Sequence, residues 1–110
     1  MDEIRITDWN IEEMTGYKPK TSFYRDFSIA EPFGEKGIRD TYKRAFKGWK
    51  TNYEYLTELV MVLNWKTWEH HDNGNRELSL LYYELWSEAD EYATENLKGE
   101  ELDYFYQTTD

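Results

Sequence analysis

Apolar positions fall into a helical rhythm over most of the chain. Ile38, Tyr42, Ala45, Phe46 and Trp49 recur at spacings of three and four, which at about 100° per residue puts them on one helix face. The pattern predicts a helix from about residue 35 to residue 50. Thr51-Asn-Tyr-Glu54 reads as a capping box, in which a hydroxyl and a carboxylate satisfy each other's exposed backbone N–H groups. A second helix of roughly twenty residues should follow, bounded by Asp72-Asn-Gly74. Its inward stripe is Leu56, Leu59, Val60 and Leu63, and Met61, Val62, Trp65 and Trp68 make its other faces apolar, as in a central helix covered on several sides. Asn75 is placed to cap a third long helix, with Leu78, Leu81, Tyr82, Leu85, Ala89, Tyr92 and Ala93 as its stripe and Lys98-Gly99 as its stop. Residues 100–106 should add one or two turns, folding Leu102, Phe105 and Tyr106 back onto the core.

The first third is punctuated differently, since Gly16, Pro19, Pro32, Gly34 and Gly37 all precede residue 40. Asn10-Ile-Glu-Glu13 loosely fits the cap of a short helix stopped by Gly16, and Tyr17-Lys-Pro19 turns the chain away. Ser28-Ile-Ala-Glu31 reads as a capping box opening a second short helix. Strand-like alternation is confined to residues 4–7, too little for a sheet. The expected architecture is all-α: a single domain over residues 1–110, a small bundle of three main helices with short helical N- and C-terminal elements. Residues 1–34 form its loop-rich N-terminal region and residues 35–110 its helical core.

Composition supports a packed core despite a modest apolar content. The 110 residues are 39% hydrophobic, below the globular norm of about 45–50%. Twenty of them are aromatic, however, and each such ring can bury about 150–250 Å². Cysteine is absent, which excludes a disulfide framework, a thiolate nucleophile and Cys-ligated zinc or iron–sulfur sites. The longest apolar run, residues 59–63, falls far short of the roughly 18 residues a membrane helix requires. No basic stretch precedes an apolar run at the start, so no secretory signal and a cytoplasmic location are expected.

Several segments carry a resemblance: Phe27-Ser-Ile-Ala30, Ile38-Arg-Asp-Thr-Tyr42, Arg44-Ala-Phe46, Tyr55-Leu-Thr-Glu-Leu-Val-Met-Val-Leu-Asn64 and Glu95-Asn-Leu-Lys-Gly-Glu100. Together, from about residue 16 to residue 110, the chain resembles a group of small uncharacterised proteins carried by prophage-like and conjugative elements of Gram-positive gut bacteria. The resemblance implies a setting, that of a cytoplasmic accessory protein of mobile DNA serving replication, transfer or host defence. Its motifs include no catalytic signature, so it implies no activity.

Catalytic and metal-binding patterns are weak. Glu69-His-His-Asp72 holds both histidines, His70 and His71, but neighbours on a helix diverge by about 100°, whereas paired ligands need one face. At most one His can cooperate with a carboxylate such as Glu69 or Glu58; otherwise both are solvated near a helix C-terminus, where their partial charge suits the dipole. Carboxylates crowd the third helix, yet no Glu-x-x-His pair accompanies them, so a solvated acidic face is expected rather than a two-metal core. There is no Gly-x-Ser-x-Gly elbow, and Gly34-Glu-Lys-Gly37 lacks the ending of a phosphate loop. The expectation is a protein that is not an enzyme and has no cofactor and no metal.

Charge is distributed unevenly. Residues 1–55 carry ten acids and ten bases, whereas residues 56–110 carry thirteen acids and three bases, the whole of the net −10. Lys36, Arg39, Lys43, Lys47 and Lys50 form a basic edge on the first long helix, too small to overcome that charge, so direct nucleic-acid binding is not expected. Glu84, Glu88, Glu91 and Glu95 form a ridge on the third helix that either mimics a phosphate backbone for a basic partner, or faces water and pairs with the basic edge. Trp65 and Trp68 lie off the inward stripe and Tyr83 and Trp86 at its margin; core burial is the ordinary alternative, but exposed Trp and Tyr anchor protein interfaces. The function expected is a non-catalytic acidic adaptor or modulator with a protein partner or as a homodimer. A nucleic-acid-mimic inhibitor of a DNA- or RNA-handling protein is the alternative, and an unrecognised enzyme a further one.

Overall fold

Asparagine side chains open two of the three long helices. The computed structural model describes residues 19–109, and they form α1 (Pro19–Ala30), a 3-10 turn (Glu31–Phe33), α2 (Gly34–Trp49), α3 (Tyr53–Asp72), α4 (Arg76–Asn96) and α5 (Glu100–Thr109). The Asn52 side chain accepts from Tyr55 N at 3.1 Å, and Asn75 accepts from Leu78 N at 3.2 Å. Each fills a donor that the first helical turn leaves unpaired. The cap of α3 is therefore Asn52, one residue beyond the expected Thr51, which is exposed.

The all-α bundle is what the periodicity predicts, with α2, α3 and α4 as its main helices and no strand among the described residues. Helix α3 is central, packing against α1, α2, α4 and α5. Its Leu56, Leu59, Val60, Val62 and Leu63 are all buried, meeting Phe23 and Phe27 from α1, Ile38 and Tyr42 from α2, and Tyr82, Leu85 and Ala89 from α4. Helix α5 contributes Phe105, while Leu102 packs at the edge. It runs through Thr109, past the one or two turns expected.

The N-terminal region differs from its reading. Residues 19–33 are helical throughout, with Pro19 as the first residue of α1; proline suits a first helical position because its missing N–H would be unpaired there anyway, and the rest of the turn expected at residues 17–19 lies outside the described residues. Ser28 sits inside the last turn of α1 and caps nothing. Glu31 is drawn off the expected box by donors on distant helices. The short helix expected at residues 10–13 and the alternation at residues 4–7 lie outside the described residues.

Candidate binding groove

Two features stand out, a closed polar knot and an open aromatic groove. In the knot, Lys66 is 1% exposed, and its Nζ donates to Ser28 Oγ at 2.7 Å and pairs with Glu31 Oε2 at 3.0 Å. It also lies 4.1 Å from the centroid of the Tyr24 ring, a cation–π contact. The same Glu31 oxygen accepts from His70 Nε2 at 3.0 Å and Tyr82 OH at 2.8 Å. A carboxylate can only accept, so His70 carries its proton on Nε2. These donors hold Glu31 below the usual carboxylate pKa, outweighing the desolvation that acts against them. Tyr24 donates to Glu69 Oε1, which pushes its hydroxyl up to about 12.

The two histidines thus part company. His71 is exposed, as read from the sequence, whereas His70 is buried and stacks on Tyr82 at 5.6 Å between centroids. Its carboxylate partner is Glu31, neither Glu69 nor Glu58. Lys66, His70 and Tyr82 are each under 9% exposed, so the knot ties α1 and its following turn to α3 and α4 with little room for a substrate. Among the described residues no group of three or more His, Asp or Glu side chains is gathered to hold a metal ion.

The groove lies where α5 crosses the α3–α4 pair. These two helices double back through the turn at Gly74, whose φ of +79° favours glycine, and Ser79 Oγ bonds Thr67 O across them at 2.9 Å. Trp65 from α3 and Trp86 from α4 line the groove so formed, and α5 adds Tyr106. The resulting groove holds about 530 Å³. Trp65 is 42% and Tyr106 46% exposed, and Trp86 is half-buried.

Asp90 stands among these aromatics, half-buried one turn beyond Trp86. Burial alone raises its pKa, and no hydrogen bond or ion pair reaches its carboxylate from the described residues. Asn64, Thr94 and Thr108 add neutral polar groups, and no lysine or arginine of the described residues lines the groove. Sequence reasoning named Trp65 and Trp86 but missed Asp90 and Tyr106. Asp90 could have been found by its place one turn from Trp86 on the same face; Tyr106 was assigned to the core.

The remaining expected residues lie outside the lining of this groove. The Tyr83 ring lies 5.6 Å from that of Trp86, extending the aromatic surface over the lip. Trp68, 55% exposed, meets His71 at 5.2 Å near a smaller cleft of about 150 Å³ that includes Leu80. On the ridge, Arg39 grips both carboxylate oxygens of Glu84 at 3.1 and 3.2 Å while holding Glu35 at 2.6 Å. Lys36 pairs with Asp40 within α2 instead of crossing to α4. Glu88 lies near the Tyr42 hydroxyl, whose pKa rises through burial first and this charge second. Glu88, Glu91 and Glu95 are all exposed. No described helix is long and apolar enough to cross a membrane. Searches of family models, curated proteins and solved structures find no match for the chain.

Proposed function

We propose that the chain is a non-catalytic interaction protein that docks a basic segment of a partner protein along the groove between α3, α4 and α5. The observation carrying this reading is the gathering of Trp65, Trp86 and Tyr106 from three helices around one water-accessible groove. Large, partly exposed rings gathered from several elements form the kind of pocket that anchors an interface. Tyr83 extends the same surface beside Trp86, and the net −10 charge speeds encounter with a positively charged partner. The resemblance to proteins of mobile elements suggests a cytoplasmic accessory role in such an element.

The test uses a photo-crosslinking residue at position 106, with another at Lys47 on the exposed face of α2 as control. Crosslinking of one discrete host protein from position 106 only, lost on Trp65→Ala or Trp86→Ala with the circular dichroism spectrum intact, supports docking. Equal labelling from both positions removes the groove from the account.

A second reading, phosphate-backbone mimicry, is favoured by the exposure of Glu88, Glu91 and Glu95, a ridge about 10 Å long. The Arg39 grip on Glu84 shortens it at one end. Charge reversal at Glu88 and Glu91 should abolish binding under mimicry and only slow association under docking.

A further inference from the structure

We infer that the groove recognises a single cationic side chain, an arginine or lysine of the partner, held against Trp65, Trp86 and Tyr106 with its charge on Asp90. This deepens the docking reading and rests on it. Three facts point to a cation rather than an apolar anchor. The lining is aromatic on three sides, and the face of an indole or phenol ring attracts positive charge. An acid stands among those rings, and an aliphatic anchor placed there would bury it further without a counter-charge. No cation of the described chain reaches that acid: Arg39 is committed to Glu35 and Glu84, and Lys66 to Ser28 and Glu31.

The volume agrees. About 530 Å³ lies within the range of pockets that take small organic ligands and has space for a guanidinium or ammonium head with its methylene stem. Asn64, Thr94 and Thr108 offer oxygens for the N–H groups that Asp90 leaves unpaired. A planar guanidinium can lie on a ring face while pairing with a carboxylate in its own plane, which favours arginine. The same chemistry disfavours a second copy as occupant, because the −10 charge of each chain opposes its approach.

The experiment titrates the full chain with a blocked Ala-Arg-Ala peptide and its citrulline counterpart, which keeps shape and removes charge. Binding is followed by tryptophan fluorescence and by backbone amide shifts at Asp90 and Tyr106. The arginine peptide should bind more tightly by about tenfold, and Asp90→Asn should erase that preference. Trp86→Leu, which retains apolar volume but no π face, should weaken the arginine peptide more than the citrulline one and guards against misfolding of the Asp90 variant. Equal binding of the two peptides, or a preference that survives Asp90→Asn, overturns the cation inference and leaves docking standing. Loss of partner crosslinking at position 106 overturns docking itself. Concentration-dependent dimerisation broken by Trp86→Leu would make a second copy the occupant and overturn the inference as well.

Discussion

Glu31 Oε2 is the residue-scale hinge of the fold, taking donors from Lys66, His70 and Tyr82 at 2.8–3.0 Å. Removing one partner of a buried pair strands the other, so Glu31→Leu should cost about 3–5 kcal/mol in urea unfolding. Lys66→Met in the Glu31→Leu background should recover most of that loss, because neither charge is then buried alone. The folded-state pKa of Glu31 lies below the ordinary 4.5, so its contribution is present above that value and lost as pH falls through the folded pKa. Melting temperatures of the parent and Glu31→Gln should therefore converge in acid. Asp90 has the opposite sign. Its pKa is raised by burial, so its ionisation withdraws stability as pH rises through the folded value. Asp90→Asn should melt higher than the parent at neutral pH, with the gap closing in acid; a lower melting point at neutral pH would mean that the carboxylate has a stabilising partner.

At the scale of elements, the long helices were legible because each carries a continuous apolar stripe, and α4 also its own cap in Asn75. Asn75 and Gly74 sit where the pattern places them, and α3 ends at Asp72 as read. Ser28 and Glu31 were misread for a physical reason. A capping box is a local pattern, and nothing near residue 31 reveals that residues 66, 70 and 82 will compete for its carboxylate. Gly37 hides a similar constraint. A Cβ there would lie 2.9 Å from Ala30 O and 2.8 Å from Phe33 Cβ, so the start of α2 presses on the end of α1. Glycine to alanine inside a helix ordinarily gains about 1 kcal/mol. Here Gly37→Ala should instead destabilise by about 1–3 kcal/mol, as overpacking does, in chemical denaturation.

At the scale of the whole molecule, packing divides the described residues into a sealed side and an open one. The knot of α1, α3 and α4 encloses its charges with their partners, while the groove of α3, α4 and α5 keeps large rings and one acid near water. Half of this site was legible, since Trp65 stands off the inward stripe of one predicted helix and Trp86 at the margin of another. The other half depended on how α5 crosses the pair, which periodicity within one helix does not encode. The ridge was legible as a row on one face, but not the Arg39 grip that takes Glu84 out of it. The most direct measurement labels the tryptophans with ¹⁵N and records their indole resonances as the crosslinked partner is added in purified form. The Trp65 and Trp86 signals should shift while that of Trp49, packed against Tyr55 at 4.2 Å, stays in place. Unmoved Trp65 and Trp86 signals, with shifts confined to the amides of Glu88 and Glu91, would contradict the account and place the partner on the acidic ridge.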